Sequence, residues 1–247
     1  MRYFIQFSYN GAAYHGWQNQ PNAITVQQVL EKSLLTLLRQ KVSLTGAGRT
    51  DAGVHAMQMY AHFEISEISD RKNLIYKLNA LLPDDISVQD IFEVSASAHA
   101  RFDAIARTYE YWIVQEKNPF YSDSAHYVKH PLDIAKMNEA ASLLLAYKDF
   151  ECFSKSKTDV HTYFCDIKVA RWDKKKDLLV FTIQADRFLR NMVRAIVGTL
   201  LDVGKGKSNL DDVKAIINSK NRSKAGTSVP AKALYLTHIS YPNTIAL

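Results

Sequence analysis

The chain has 247 residues, of which 47% are hydrophobic and 23% are charged, a composition that suits one large or two small globular domains with a real core. Lysine and arginine outnumber aspartate and glutamate by 31 to 25, so the net charge of +6 permits a polyanionic partner without requiring one. Cys152 and Cys165 have no C-x-x-C spacing and no histidines cluster at metal-ligand spacing, so the sequence predicts neither a disulfide scaffold nor a zinc site. No apolar run approaches the ~18 residues of a membrane span, and we expect a cytoplasmic protein.

The first hundred residues predict the element order βαββαβ. Alternating apolar and polar residues indicate the strands, and apolar residues three and four apart indicate the helices. In chain order the predicted elements are a strand over 2–9, a helix over 26–40, a strand over 42–44, a strand near 59, a helix over 71–82 and a strand over 86–94. This order is typical of a ferredoxin-like fold.

A second set of elements in the same order begins after residue 103. The predicted elements are a strand over 107–114, a helix over 132–147, strands over 164–172 and 178–185, a helix from 188, a short helix over 210–219 and a strand over 234–240. The sequence therefore predicts an α+β protein of two ferredoxin-like βαββαβ halves, residues 1–103 and 104–247, which form one extended antiparallel sheet.

The most informative stretch reads Gly-Ala-Gly-Arg-Thr-Asp-Ala-Gly-Val-His-Ala over residues 46–56, with three glycines around Arg49, Thr50 and Asp51. Glycine allows positive φ and close approach to a ligand, and a carboxylate on a loop at the end of a sheet is typical of a catalytic group. A dinucleotide-binding loop is excluded because G-x-G-x-x-G would need glycine where Asp51 stands. The alternative is that Asp51 is a turn residue that bonds its own backbone.

A second candidate site lies in the stretch 187–198, which the sequence predicts to be the start of a long helix. At ~100° per residue, Arg190, Arg194 and Gly198 fall on the face opposite the apolar one, where the arginines can face a cleft. A glycine inside a helix costs about 1 kcal/mol relative to alanine, so Gly198 needs a reason. The alternative is a solvated basic face on an amphipathic helix.

A third candidate is the strand over 107–114, where Tyr109 and Tyr111 share one face. A tyrosine in a basic cleft can stack on an unpaired base, which contributes ~1 to 3 kcal/mol per base in nucleic-acid binders. The alternative is that both rings belong to the core. His55 and His99 have no acid or second histidine at a suitable spacing, and we expect them to be structural.

Specific motifs run through nearly the whole chain. They occupy residues 9–11, 16–21, 25–27, 48–55, 78–79, 82–86, 100–102, 107–111 and 188–198. By their order and spacing the chain resembles the TruA family of tRNA pseudouridine synthases. A departure is the stretch 225–231, which reads Ala-Gly-Thr-Ser-Val-Pro-Ala where such proteins usually have Ala-Gly-Pro-Thr-Ala-Pro. The resemblance implies the pseudouridine synthase fold with a central cleft.

The resemblance also implies an activity, the conversion of uridine to pseudouridine at nucleotides 38, 39 and 40 of the tRNA anticodon arm, by a homodimer without cofactor or metal. Asp51 would attack the nucleotide or take a proton from the sugar, and a nearby Arg194 would favour its charged form. Arg49 would open or hold the flipped nucleotide, and Tyr109 would stack on the uracil. A rival hypothesis is a non-catalytic RNA-binding module, although the sequence lacks its RNP1 pattern.

Overall fold

The computed structural model describes residues 1–155 and 160–246 of the chain. Its internal contacts divide the chain into two compact units. The first unit contains Met1–Ile105 and Tyr235–Leu247, and the second contains Ala106–Leu234.

This division differs from the sequence prediction at the C-terminal end. We expected residues 104–247 to form the second half, whereas Tyr235–Leu247 groups with the first unit. The reason is long-range strand pairing, because Tyr235 lies opposite His55 in a parallel ladder of that unit. Local patterns mark this segment as a strand but do not indicate its partner.

The described residues contain nine strands and five α-helices. They are β1 (Arg2–Tyr9), α1 (Val26–Leu38), β2 (Thr45–Gly46), β3 (His55–Glu64), α2 (Arg71–Leu81), β4 (Ile86–Val94), β5 (Ala106–Val114), β6 (His126–Tyr127), α3 (Ile134–Leu143), β7 (Ile167–Lys175), β8 (Leu178–Ala185), α4 (Met192–Gly204), α5 (Leu210–Asn218) and β9 (Leu234–Ser240). The predicted bounds of β1, β4, β8 and β9 agree with these ranges. None of these helices is long and apolar enough to span a lipid bilayer.

The first unit is built on a sheet in which β1 lies between β4 and β3 and runs antiparallel to both. Phe4 of β1 is opposite Phe92 on one side and His62 on the other. The short β2 adds to β3 in the antiparallel direction, and β9 pairs with β3 in parallel. The order β4-β1-β3-β2 is the one expected of a ferredoxin-like arrangement.

Helix α1 begins where the sequence predicts because of its N-cap. The Thr25 side chain accepts a hydrogen bond from the backbone N–H of Gln28, which satisfies one of the unpaired donors at a helix start. Val26, Leu30 and Leu34 form a stripe that is fully buried. Burial of each such side chain contributes ~1.5 to 3 kcal/mol, so this stripe fixes the helix to the core.

The strand predicted over 42–44 is wrong in position, since the strand of this region is β2 at Thr45–Gly46. The backbone of Leu44 is bound to α1 instead of to a neighbouring strand. Its N–H donates to Glu31 Oε1 over 2.8 Å, and its carbonyl accepts from Gln27 Nε2 over 2.9 Å. These contacts with the helix override the local preference of the segment for β structure.

In the second unit, β8 lies between β5 and β7 and runs antiparallel to both. Ile183 of β8 is opposite Tyr109 on one side and Ala170 on the other. The two-residue β6 pairs with β5 in parallel, and α3 contacts both α4 and β7. Both units therefore combine helices with mostly antiparallel strands, which confirms the predicted α+β class.

Helix α4 begins at Met192, later than the sequence predicts. Its N-cap, Asn191, has a left-handed backbone with φ of 65°, which separates the helix from the preceding chain. Arg190 therefore lies outside the helix, and the predicted common helical face of Arg190, Arg194 and Gly198 is wrong. Helical periodicity applies only to the last two of these residues.

Candidate active site

The loop that carries Asp51 connects β2 to β3 in the first unit. The Val54 N–H donates a 3.2 Å hydrogen bond to the Asp51 carbonyl, and Gly53 within this turn has φ of +76°. A side chain at that φ would be strained, which explains the third glycine of the motif. Asp51 is half-buried, and Arg49 on the same loop is exposed.

Thr50, the residue before Asp51, is fixed by residues from the start of the chain. Its hydroxyl lies 2.9 Å from the Tyr9 hydroxyl, and its carbonyl accepts a 3.4 Å hydrogen bond from the Trp17 N–H. One contact therefore holds the side chain and the other holds the backbone. Because Thr50 adjoins Asp51, both contacts limit the movement of the carboxylate.

Two glycines bring these segments together. A Cβ on Gly11 would lie 2.0 Å from the carbonyl oxygen of Val54, and a Cβ on Gly16 would lie 2.3 Å from that of Thr50. Gly16 also has φ of +87°. Both glycines belong to motifs for which the sequence indicates no role. In the structure they allow close packing against the Asp51 loop.

His55 and His99 are both bonded to nearby backbone, as a structural role requires. The His55 side chain is buried, its Nδ1 accepts a 3.1 Å hydrogen bond from the Gly11 N–H, and its ring stacks on Tyr235 with centroids 4.6 Å apart. Nδ1 of His99 accepts a 3.1 Å hydrogen bond from the Arg101 N–H. Each imidazole therefore organises nearby backbone.

A cavity of about 390 Å³ adjoins this loop, and Tyr9 and His55 form part of its wall. The wall also contains the carboxylates Asp84 and Asp85. The Tyr14 hydroxyl donates a 2.6 Å hydrogen bond to Asp85, and burial together with this carboxylate raises the pKa of the phenol. Two acidic groups disfavour a phosphate here, so we do not assign this cavity to an RNA backbone.

In the second unit, Arg194 lies in the first turn of α4 and is held at two points. Its Nε donates a 2.7 Å hydrogen bond to the Val229 carbonyl, and the Val229 N–H donates a 3.3 Å hydrogen bond to the Arg194 carbonyl. Within α4, Arg194 and Asp202 are the two residues that are not buried. The helix is therefore a core helix, and the alternative of a solvated basic face does not hold.

Gly198 is explained by packing against the segment 225–231. A Cβ at this position would lie 1.9 Å from the Thr227 carbonyl oxygen. The preceding residue of this segment is joined to α4 as well, because the Gly226 N–H donates a 2.9 Å hydrogen bond to Thr199 Oγ1. The cost of glycine in the helix is therefore offset by a close approach of two backbones.

Tyr109 and Tyr111 of β5 have different environments. Tyr111 is fully buried and donates a 3.0 Å hydrogen bond from its hydroxyl to the Pro230 carbonyl, so for this ring the core interpretation is correct. Tyr109 is half-buried and packs against Phe188 in a T-shaped arrangement, with ring centroids 5.1 Å apart. The sequence does not indicate this contact between Phe188 and Tyr109, because its pattern places Phe188 in the helix.

The comparison with known proteins decides the family. The model of the tRNA pseudouridine synthase family matches residues 5–103 and 140–242. The chain belongs to the tRNA pseudouridine synthase family. A pseudouridine synthase is an isomerase, and this membership sets aside the rival hypothesis of a non-catalytic RNA-binding module.

Individual relatives of this pseudouridine synthase match it over nearly its whole length. A protein of Bacteroides fragilis named tRNA pseudouridine synthase A is 54% identical over 99% of this chain and 98% of its own. Proteins of the same name from Parabacteroides distasonis and Porphyromonas gingivalis are 52% and 50% identical, over 99% and 100% of this chain and 97% and 99% of theirs. The matches therefore include both units of the fold.

Proposed function

We propose that this pseudouridine synthase converts uridines 38, 39 and 40 of the tRNA anticodon arm, with Asp51 as its catalytic carboxylate. The observation that carries the proposal is the construction of the Asp51 loop, which Tyr9, Gly11 and Gly16 hold from outside the loop. A carboxylate on a backbone fixed in this way meets the requirement that a catalytic group be held within a fraction of an ångström.

The reaction balances within one nucleotide. The N1–C1′ bond breaks, the uracil turns, C5 joins C1′, the C5 proton passes to water and N1 gains a proton. Asp51 begins this sequence either by attack on the nucleotide or by removal of a sugar proton. Both routes require an ionised carboxylate with a fixed direction, since neither a protonated nor a mobile carboxyl would serve.

For the other three site residues we propose the roles that the resemblance to the TruA family implies, and their exposure and contacts are compatible with these roles. A target base stacked in a stem must be flipped out at a cost of a few kcal/mol, and the exposed Arg49 is our candidate for holding it. Tyr109, which packs against Phe188, stacks on the uracil. Arg194, fixed by Val229, supplies a positive charge that stabilises negative charge in the reaction.

We further propose that the protein is a cytoplasmic homodimer that binds tRNA. The resemblance to the TruA family supports the dimer and the anticodon arm, and the free, buried thiols of Cys152 and Cys165 suit a reducing compartment. Sedimentation equilibrium tests the dimer, for which we expect twice the 28.0 kDa of the chain. A mass of one chain at micromolar concentration would contradict it.

The proposed sites of modification are tested with three tRNA transcripts, each of which carries a single uridine in the anticodon arm, at nucleotide 38, 39 or 40. We expect the wild type to convert all three and Asp51→Asn to convert none, while the tRNA dissociation constant stays within about two-fold at fixed salt. Asp177→Asn, an exposed turn carboxylate, is the matched control and should retain full turnover. Conversion at other uridines alone would contradict the assigned positions.

A further inference from the structure

A network of hydrogen bonds fixes the segment 222–230 against α4, and the Arg222 guanidinium is its centre. Nη1 of Arg222 donates to the carbonyls of Ala225 and Gly226 at 3.4 and 3.2 Å. Nη2 donates to Ser228 Oγ at 2.7 Å. One side chain thereby holds both the backbone of the turn and the hydroxyl that follows it.

Ser228 connects this segment to the start of the helix. Its Oγ also accepts a 2.6 Å hydrogen bond from Asn191 Nδ2. Asn191 is the left-handed N-cap of α4, and its side chain makes no capping bond to the helix backbone. A non-glycine residue in that conformation costs energy, and the bond to Ser228 helps to offset it. Ser228 is thus the shared acceptor of two donors from different segments.

The residue next to Ser228 holds Arg194. Val229 accepts from Arg194 Nε over 2.7 Å and donates to the Arg194 carbonyl over 3.3 Å. A hydrogen bond from Nε to a backbone carbonyl sets the plane of the guanidinium, so the direction of Arg194 depends on where Val229 lies. The position of Val229 in turn depends on the anchored hydroxyl beside it.

We infer that Ser228 is a positioning residue for Arg194, and that Arg222 and Asn191 act through it. This inference rests on the proposed function, because it requires Arg194 to take part in the reaction. Without the hydroxyl, the Arg222 guanidinium and the Asn191 amide lose their common acceptor, the segment shifts and Arg194 changes direction. A displacement of about 1 Å can lower turnover ~100-fold without any change in the groups that meet the substrate.

The direct test compares Ser228→Ala with Ser228→Thr, which keeps the hydroxyl. We expect kcat on a tRNA transcript to fall about 10- to 100-fold in Ser228→Ala and to return to within about three-fold of wild type in Ser228→Thr. The dissociation constant for tRNA should stay unchanged in both. The matched control is Ser223→Ala, which removes an exposed hydroxyl of the same segment that donates to Asn221 and should leave kcat unchanged.

A double-mutant cycle shows whether Ser228 acts through Arg194. If it does, adding Ser228→Ala to Arg194→Lys should lower kcat by less than about two-fold beyond Arg194→Lys alone. Multiplication of the two single effects would overturn the inference, and so would wild-type kcat in Ser228→Ala. Should Ser228→Ala fail to fold by circular dichroism, Arg222→Lys replaces it in the cycle and is expected to behave in the same way.

Failure of this inference is distinguishable from failure of the proposed function. An active Arg194→Lys together with an inactive Asp51→Asn would remove the basis for a positioning role while the function stands. An active Asp51→Asn would contradict the proposed function whatever Ser228 does.

Discussion

The Asp51 loop and the Arg194 turn are held in place by different means. Around Asp51 the constraint is steric, since backbone meets backbone at Gly11 and Gly16, where no side chain fits. Around Arg194 one such contact occurs, at Gly198, and the remaining constraint is polar, carried by hydrogen bonds of side chains such as Arg222 and Ser228. An atom added at a steric contact should therefore cause a large loss of stability, whereas removal of one hydrogen bond from a polar network should cost only about 1 kcal/mol.

Gly16→Ala should produce the largest effect, because it combines strain at φ of +87° with a Cβ 2.3 Å from the Thr50 carbonyl. We expect a loss of about 3 kcal/mol or more in the free energy of unfolding, measured by urea denaturation, together with loss of turnover. Gly206→Ala is the control, since it has φ of +69° with no atom within 4 Å and should lose only about 1 to 2 kcal/mol. Equal losses in the two variants would show that packing against Thr50 is unimportant.

Gly198→Ala should have a smaller effect in the other region. The added Cβ would lie 1.9 Å from the Thr227 carbonyl, but alanine gains about 1 kcal/mol in helix propensity. We expect a net loss of about 2 kcal/mol in stability, with a clear fall in kcat because the segment that holds Arg194 is displaced. Unchanged kcat in a folded variant would show that Arg194 does not depend on this packing.

Tyr9→Phe should have the smallest effect, because it removes one hydroxyl that contacts the Asp51 loop and leaves the steric contacts in place. Loss of its bond to Thr50 should lower stability by about 1 kcal/mol and kcat by less than about ten-fold, with tRNA affinity unchanged. Tyr76→Phe, which alters an exposed ring that is 74% accessible, is the control and should change neither. A loss as large as that of Gly16→Ala would show that the Asp51 loop depends on polar contacts as much as on steric ones, which would contradict our distinction between the two regions.

Sequence patterns were sufficient wherever local rules determine the structure. The alternation in β1 and the Thr25 cap of α1 correctly predict where these two elements begin, because both signals lie within a few residues. The start of α4 was wrong because the left-handed Asn191 has no signature in the apolar pattern. The position of β2 was wrong because Leu44 is bound to side chains of a helix.

The sequence indicates the candidate site residues, but it does not indicate the contacts that hold them in place. The glycines around Asp51 and the arginine at 194 could be singled out by pattern and resemblance, and their chemical roles remain proposals. The partners that fix them are distant in sequence, such as Tyr9 for Thr50 and Val229 for Arg194. Periodicity reports local structure only, so contacts of this kind emerge from the folded chain.

The most direct test of the account is release of tritium to water from a tRNA transcript labelled at uridine C5, with wild type and Asp51→Asn assayed side by side without added cofactor. Replacement of the C5 proton by the bond to C1′ is the chemistry we assign to this protein. We predict release by the wild type and none by Asp51→Asn at equal tRNA occupancy. Release by both proteins would contradict the central claim, because Asp51 would then be a turn residue and not the catalytic carboxylate.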